Sequence, residues 1–410
     1  VHNNISLDKL LKSKKLNIQS AIHAEQLEQS AIQITIGNII TSMRLLSNID
    51  WQDFFEQTSL VESILNKDPS DTYRKMSFKD KDNYRHIIEN ICKKTKKDEL
   101  EVSHTLIHMA SKAKKEGITH KREFHIGYYL IDSGLEQINQ YYNYKKTIYN
   151  KIQNTLKGYP TFFYFSLLIS LTLMTSIPFV YYLQGQELSF LAMVLIIFLI
   201  LIPISDVALN ISSLIFAKIL PPKILPRIDL TEGVPDNAKT FVIIPTIFND
   251  IKMISKMVET LEIQYLTNKD PNIFFALLSD FNDAELKTLN IDKVLLTHLN
   301  KLIKELNIKY KIKNENDDIF YAFHRFRCWN PNENTWMGKE RKRGKIHEFN
   351  KYLKEGLIGD FINPPEHSEL FKSIKYVITL DSDTKMLHGA AKKLIGTIIH
   401  PLNEPIVDSN

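Results

Sequence analysis

The chain has 410 residues, of which 44% are hydrophobic, 24% charged and 10% aromatic, so it is long enough for two or three domains and too apolar to be disordered. Glycine (13) and proline (15) are scarce, which excludes collagen-like and low-complexity classes. The net charge of +5 is small for this length, so we expect no nucleic-acid partner. Two cysteines, Cys92 and Cys328, are too few for a disulfide framework and are typical of a reducing compartment.

Residues 1–150 have the pattern of helices. Ser77 followed by Asp80 resembles a capping box, and apolar side chains then recur at helical spacing at Tyr84, Ile87, Ile88 and Ile91. Lysines fill the opposite faces, as expected for solvated helices beside an anionic membrane surface. We therefore predict an all-α domain over residues 1–150.

Two features of this region admit a functional interpretation that the sequence does not favour. His104 and His108 stand four residues apart and could chelate a metal, but Thr105 occupies the position where the zincin pattern requires glutamate. Aromatic side chains could stack on sugars, but just before an apolar run they are more typical of an interfacial belt; they are Tyr141, Tyr142 and Tyr144.

Two apolar runs without charged residues follow, at residues 160–183 and 188–205. As helices rising about 1.5 Å per residue, each is long enough to cross roughly 30 Å of hydrocarbon. The connecting residues 184–187 contain no lysine or arginine, whereas the flanks contain Lys145, Lys146, Lys151 and Lys157 before the first run and Lys218, Lys223 and Arg227 after the second. Because cytoplasmic flanks are enriched in basic residues, we predict a two-span transmembrane hairpin over residues 158–220 with both soluble domains in the cytoplasm.

Asp206 interrupts the apolar character after the second run. An ionisable group at membrane depth is a functional candidate, but a carboxylate at the headgroup interface stays hydrated, and we favour the second interpretation. Residues 207–217 could extend the helix or lie along the bilayer surface. Prolines then end the segment, at Pro221, Pro222 and Pro226.

From residue 236 onwards, short apolar runs alternate with amphipathic segments. We predict strands at residues 241–246, 272–280, 319–325 and 376–384, the last running into a polar turn, and helices at residues 251–265, 286–308, 345–354 and 388–399. Such alternation implies a mainly parallel sheet with helices on both faces. The predicted fold class is therefore α/β over residues 236–410, joined to an all-α region.

Polar residues follow each predicted strand, at the edge where parallel sheets bind ligands. They are Thr246, Asp280, His324, Arg325, Asp381 and Asp383. Solvated turns also place aspartate after strands, so Asp280 alone leaves both interpretations open. The couplet of Asp381 and Asp383 is more specific, because two carboxylates one residue apart can hold Mg²⁺ or Mn²⁺ against phosphate oxygens.

A basic segment, KERKRGK at residues 339–345, lies between the third and fourth strands. It could be a solvated face or a nucleic-acid patch, but Gly344 within it and a helix beginning near Lys345 suit a diphosphate better. Trp329 and Trp336 flank the preceding loop, where they could form a sugar platform or anchor the loop.

The chain resembles the cyclic β-1,2-glucan synthases, which are large bacterial inner-membrane glycosyltransferases. The matching stretches are residues 36–56, 73–89, 125–132, 241–246, 270–281, 327–350 (RCWNPNENTWMGKERKRGKIHEFN), 377–384 (VITLDSDT) and 400–403. The motifs at 327–350 and 377–384 are also similar to those of processive cellulose-type and hyaluronan-type synthases.

The resemblance implies a GT-A-like (Rossmann-like) fold, a UDP-glucose donor, Mg²⁺ or Mn²⁺ as cofactor, and inversion to a β-1,2-glucan that grows on the protein and is then cyclised. It also implies a multi-pass protein of the bacterial inner membrane, with the lipid bilayer and the growing glucan as partners. Asp280 would contact the uracil or ribose, and Asp381 and Asp383 the metal-diphosphate. The full set of donor and metal residues is Thr246, Asp280, Arg343, Lys345, Asn350, Asp381 and Asp383.

Members of this family are several times longer than this chain. The acceptor-side half, with the general base and a Q-x-x-R-W-type motif, is expected after Asn410. We therefore expect a segment of a longer enzyme, a decayed copy, or a split gene whose downstream chain supplies the missing half. The alternatives to an active glucosyltransferase are an inactive membrane scaffold that keeps donor-site features and an enzyme of phosphoryl or nucleotidyl transfer.

Overall fold

The structure is a computed structural model that describes residues 18–117, 121–143, 153, 155–186, 188–220, 222–311 and 318–405. The chain divides into two units, residues 1–66 and residues 67–410. Several residues used in the predictions lie outside the described ranges, namely Lys145, Lys146, Lys151, Tyr144, Glu187 and Pro221.

The first unit is helical in its described part. It contains α1 (Ile18–Asn48), α2 (Trp51–Thr58) and α3 (Leu60–Leu65). Asp50 caps α2, because its Oδ1 accepts hydrogen bonds from the backbone N–H groups of Gln52 at 2.9 Å and Asp53 at 3.1 Å. Ser59 caps α3 in the same way, so polar side chains set both helix starts.

Four helices open the second unit: α4 (Phe78–Thr95), α5 (Glu99–Lys115), α6 (Ile126–Ile131) and α7 (Leu135–Tyr141). The Ser77 hydroxyl accepts a hydrogen bond from the Asp80 N–H at 3.3 Å, as a capping box requires. The Asp80 carboxylate accepts from the Ser77 hydroxyl and from the backbone N–H of Arg227. The N-cap is therefore confirmed, but the reciprocal bond of a capping box is not made, because the Ser77 N–H donates to the Arg227 carbonyl instead. These contacts tie the start of α4 to the chain near residue 227.

Helices α8 (Pro160–Gln184) and α9 (Phe190–Ile219) form an antiparallel hairpin. The start of α8 meets the end of α9, where the Tyr164 hydroxyl lies 3.0 Å from Ser213 Oγ. Both helices are long and apolar enough to cross a membrane. Because α9 continues unbroken through Asp206, residues 207–217 extend the second helix, which is one of the two arrangements that the sequence leaves open.

A four-stranded parallel sheet follows, in the order β3-β2-β1-β6, with a separate two-stranded hairpin of β4 and β5. The strands are β1 (Thr240–Phe248), β2 (Ile273–Phe281), β3 (Phe320–Arg325), β4 (Cys328–Asn330), β5 (Thr335–Met337) and β6 (Tyr376–Thr379). Every residue of the central strand β2 is buried, which explains its continuous apolar run.

Helices cover both faces of this sheet, so the α/β prediction is confirmed. They are α10 (Ile251–Thr267), α11 (Asn290–Tyr310), α12 (Arg341–Glu355), α13 (Glu369–Ser373) and α14 (Ala390–Ile398). On one face, α10, α11 and α14 bury Leu261, Leu299 and Ile395 against the sheet. On the other face, α12 and α13 contribute Phe349 and Phe371. The two faces thus have separate apolar cores.

A buried histidine pair joins the early helices to the chain that follows α14. The rings of His125 and His400 meet edge to face, with centroids 5.0 Å apart. The Asp68 carboxylate binds His125 Nδ1 at 2.8 Å, and the Tyr84 hydroxyl lies 3.2 Å from Nε2 of the same ring. Burial alone would raise the pKa of Asp68, but the hydrogen bond and charge of His125 outweigh it and lower that pKa.

His400 itself is held neutral. Burial lowers its pKa from 6.5 to about 3, and Nδ1 accepts a hydrogen bond from the Leu402 N–H at 3.2 Å. Within the described residues, Nε2 of His400 has no hydrogen-bond partner.

We expect the free energy of unfolding to fall as the pH drops below 6.5. Above that pH His400 is neutral in both states, whereas between 6.5 and about 3 only the unfolded chain takes up the proton. Each such group stabilises the unfolded state by up to about 1.4 kcal/mol per pH unit. His400→Asn keeps an acceptor for Leu402 and cannot titrate, so its thermal unfolding should depend less on pH.

The measurement compares thermal unfolding near neutral pH and at about pH 5. His104→Asn is the matched control, because it removes an exposed histidine of α5. His324, which is also buried with a pKa near 3, contributes equally to all three proteins. The same pH dependence in His400→Asn as in the wild type would contradict a buried neutral His400.

Candidate functional site

The carboxyl ends of β1, β2 and β3 bring polar residues together. Thr246 of β1 lies opposite Ser279, and Asp280 of β2 lies opposite Arg325 of β3 in the sheet register. All four of these residues are buried. The predicted meeting of Thr246 and Asp280 at one sheet edge is therefore seen in the structure.

The Asp280 carboxylate binds two cations. Arg325 donates to it in a bidentate manner, from Nε to Oδ1 at 2.8 Å and from Nη2 to Oδ2 at 3.1 Å. Lys345 Nζ lies 2.9 Å from Oδ2 and also donates to the Thr246 carbonyl at 2.6 Å. Asp280 therefore has no uncompensated charge, and Lys345 holds α12 against β1 and β2.

Glu348 completes the network, because its Oε1 accepts from Arg325 Nη1 at 3.0 Å. Two cations and two carboxylates then balance. Burial raises the pKa of Glu348 and lowers the pKa of Lys345, in each case against the pull of the partner charges. The network is thus electrically neutral but desolvated.

Two glycines permit this packing. A Cβ on Gly338 would lie 2.4 Å from Asp280 Oδ2, and one on Gly344 would lie 2.1 Å from the Lys339 carbonyl oxygen. Glu340 and Arg341 between them have φ values of 51° and 47°, in the left-handed region that non-glycine residues rarely adopt. The close approach predicted at Gly344 is therefore made by the chain's own backbone at the start of α12.

The aspartate couplet lies in an exposed turn just after β6. The Thr384 N–H donates to the Asp381 carbonyl at 3.0 Å, so the strand ends and the turn begins before Asp383. The Asp381 carboxylate forms an ion pair with Lys342 of α12. The carboxylate of Asp383 is exposed and has no ion pair in the part of the chain that the structure describes.

The outer face of α12 is open to solvent. Arg343 is 87% exposed and, within the described ranges, forms an ion pair with Glu340 alone, at 3.1 Å. A shallow cavity of about 550 Å³ lies on this face, lined by Lys342, Arg343, Ile346, His347 and Asn350. The predicted donor residues thus form two groups: Thr246, Asp280 and Lys345 are buried together, whereas Arg343, Asn350 and Asp381 are exposed.

Lys342 links these exposed residues, because it lines the cavity and pairs with Asp381. Lys342 and Arg325 were not assigned a specific role from the sequence. The signal for Arg325 was its charge at the end of a buried strand, and for Lys342 its place in the basic segment.

Two further candidates have defined positions. Trp329 and Trp336 face each other across β4 and β5; the Trp336 backbone pairs with Ala284, and Trp329 is 46% exposed. Trp336 therefore anchors the loop, whereas the indole of Trp329 remains accessible to solvent.

His324 donates to or accepts from Ser279 Oγ at 2.7 Å, and burial keeps it neutral by lowering its pKa to about 3.

The fit of a divalent cation rests on Asp381 and Asp383. Their oxygens are the ligand type that Mg²⁺ and Mn²⁺ prefer, and their exposure leaves room for water and phosphate oxygens. No cluster of three histidine, cysteine or acidic residues that could hold a metal occurs in the described ranges. A cation at this couplet would therefore need further ligands from water or from a bound molecule. His104 and His108 are exposed on α5.

Asp280→Asn should destabilise the protein strongly. It removes the charge that compensates Arg325 and Lys345, and an uncompensated buried charge costs about 3–5 kcal/mol. Asp283→Asn is the matched control, because it breaks an exposed pair with Arg341 that contributes about 1 kcal/mol or less. Denaturant unfolding compares the two variants, and equal stability would show that the Asp280 network does not hold the sheet edge.

No protein-family model matches the chain. The chain is 28% identical over 404 residues to the cyclic beta-(1,2)-glucan synthase NdvB of Rhizobium meliloti (strain 1021). That alignment covers 98% of this chain and 14% of the relative, so the chain spans a small part of the relative's length. The resemblance to cyclic glucan synthases is thereby confirmed: the chain is related in sequence to such a protein.

Proposed function

We propose that this chain is the donor-binding part of a glycosyltransferase that uses UDP-glucose to build cyclic β-1,2-glucan with inversion at the anomeric carbon. The parallel sheet would then be one half of a GT-A-like fold. Support comes from the similarity along 98% of the chain to a glucan synthase. The single observation that carries the site assignment is Lys342, which joins a cationic cavity to Asp381.

A sugar nucleotide presents a diphosphate, and the cavity on α12 offers complementary charge. Lys342 and Arg343 provide two cations within the first turn of α12, where the helix dipole also favours an anion. Asn350, two turns further along the same face, offers an amide to the rest of the donor. Trp329 supplies an exposed indole face on which a hexose could stack.

Asp381 and Asp383 would hold Mg²⁺ or Mn²⁺ beside this cavity. When bound, the cation would neutralise charge on the diphosphate as it leaves. In the structure described here Lys342 compensates Asp381, so donor binding would transfer Lys342 from the carboxylate to phosphate oxygens. Lys342 would thus exchange one anionic partner, the Asp381 carboxylate, for another, the donor diphosphate.

The buried residues of the predicted donor set would not contact the donor but would hold α12 in place. Asp280, Lys345 and Thr246 would fix the start of α12 against the sheet edge, so that only the side chains of Lys342 and Arg343 need to rearrange around the donor. Inverting transfer also needs a base for the attacking hydroxyl, and we assign that role to no residue in the described ranges. The acceptor, the growing glucan, would be bound by the remainder of the enzyme or by a partner chain.

Helices α8 and α9 would place the site at the bacterial inner membrane. Their apolar side chains are exposed, as lipid-facing side chains are. Among the described residues, Lys157 precedes the hairpin, while Lys218, Lys223 and Arg227 lie at or beyond its end. This bias would put both soluble parts in the cytoplasm, where UDP-glucose is made.

Asp381→Asn and Asp383→Asn should each weaken Mn²⁺-dependent UDP-glucose binding by at least about tenfold, because each removes one carboxylate ligand. Calorimetric titration of the full chain in detergent measures this affinity, and EDTA should abolish it. Asp318→Asn is the matched control, since that exposed aspartate precedes β3 at the other sheet edge.

Unchanged affinity in both couplet variants would refute the site assignment. Donor binding without incorporation of labelled glucose, in membranes that also contain the acceptor half, would instead identify an inactive scaffold. Equal competition by all nucleoside diphosphates would favour phosphoryl or nucleotidyl transfer.

Lys342→Gln should have opposite effects on two ligands. It frees the Asp381 carboxylate from its ion pair, so Mn²⁺ alone should bind more tightly than to the wild type. It removes a phosphate-binding cation, so UDP-glucose with Mn²⁺ should bind more weakly. Electron paramagnetic resonance of Mn²⁺ measures the first affinity and calorimetry the second; changes of the same sign would contradict the exchange of Lys342.

A further inference from the structure

A second cavity lies at the other edge of the sheet. It has a volume of about 490 Å³ and is walled by residues 227–231, by the end of α10 and by the start of α14. Lys269, which lines it, precedes β2, whereas Asp280 lies at the other end of the same strand, next to its last residue. The residues that line this cavity are therefore distinct from those that line the cavity on α12.

The walls of this cavity are fixed by backbone contacts. The Ile228 N–H donates to the Gly396 carbonyl at 2.9 Å, and the Asp229 N–H donates to the Lys75 carbonyl at 2.7 Å. A Cβ on Gly396 would lie 2.3 Å from the Ile228 carbonyl oxygen, so only glycine allows this approach. The connector that follows α9 is thus clamped between α14 and the helical region.

The lining of the cavity is strongly basic. Its charged and titratable residues are Arg227, Lys269, His388, Lys392, Lys393 and Asp229. Asp229, the one carboxylate in this lining, accepts hydrogen bonds from the backbone and hydroxyl of Thr231. The lining therefore has an excess of positive charge.

The four cations differ in their partners. Lys392 Nζ lies 3.2 Å from the buried Asp270 carboxylate, and Arg227 Nε lies 4.0 Å from Asp80. Lys269 and Lys393 are exposed and form no ion pair with any described residue. The cavity is also closed by the first turn of α14, whose N-terminal dipole adds to the positive potential. Lys269, which follows α10, and Lys393 of α14 are thus both available to an anion in the cavity.

We infer that this cavity binds a phosphate-bearing anion, either a lipid headgroup or a free phosphate compound. The volume is within the range of small-ligand sites, and the charge suits a phosphate group better than a neutral ligand. A lipid source rests on the proposed membrane hairpin, because Arg227 lies eight residues after α9 ends and anionic headgroups concentrate at that surface. A free phosphate source does not depend on that hairpin.

The test titrates the full chain in detergent with inorganic phosphate and with short-chain phosphatidylglycerol, using short-chain phosphatidylcholine as the zwitterionic reference. Lys269→Gln combined with Lys393→Gln should weaken binding of the anionic ligand by at least about tenfold, since it removes both lysines that have no ion pair in the described residues. Lys269→Arg with Lys393→Arg should keep the affinity.

The matched control is Lys252→Gln with Lys304→Gln, which removes two exposed lysines from α10 and α11. It should bind like the wild type, and UDP-glucose affinity should be the same in all of these proteins. Saturable binding of phosphatidylglycerol without competition by inorganic phosphate assigns the site to a headgroup, and competition by phosphate assigns it to a free phosphate compound. Failure of both anions to bind, or equal weakening in the control, would overturn the inference.

Discussion

The Asp280 carboxylate receives a guanidinium and an ammonium group at the edge of the sheet, and the position of α12 depends on this contact. Burial of a single charge would be prohibitive, but two cations and two carboxylates within hydrogen-bonding distance offset the loss of water. Because Lys345 also binds the Thr246 carbonyl, three elements are held by one ammonium group. The orientation of every exposed residue of α12 follows from this anchor.

The buried and the exposed side chains of α12 have different roles. Lys345 and Phe349 face the sheet, whereas Lys342 and Arg343 lie toward solvent. The buried side chains are rigid and compensated, so they are poorly suited to exchange partners with a ligand. The exposed lysine and arginine hold weak, solvated ion pairs that a diphosphate can displace at little cost. A fixed support beneath exchangeable cations is a preorganised arrangement for binding an anion.

Much of the α/β region could be predicted from the sequence, because buried parallel strands read as continuous apolar runs that end in polar residues. The convergence of Thr246 and Asp280 followed from that rule. The placement of Arg343 and Lys345 on different faces of α12 did not follow from that rule. With a helix beginning near residue 345, both would lie in a loop and could turn toward one ligand. The helix begins at Arg341, so two residues of separation rotate their side chains by about 200° and place them on different faces.

The partners of Asp280 were equally hard to foresee. A charged residue at a strand end, such as Arg325, has the same sequence signal whether it faces solvent or a buried carboxylate. Gly338 and Gly344, which flank residues 339–343, give an indirect sequence signal of the buried network. Glycine is needed at both positions because the backbone there passes too close to Asp280 and to the Lys339 carbonyl for a Cβ.

The two edges of the sheet therefore have opposite electrostatic character. At the carboxyl edge, Asp381 and Asp383 extend into solvent opposite Lys342, so that edge can gather both a cation and an anion. At the amino edge, Lys269 and Lys393 lack such carboxylate partners among the described residues, so the cavity there favours an anion. The connector after α9 contacts Gly396 of α14 through Ile228, and residues 227–231 of this connector wall the basic cavity. A phosphate-bearing ligand in this cavity would therefore contact different residues from those proposed to bind the sugar nucleotide.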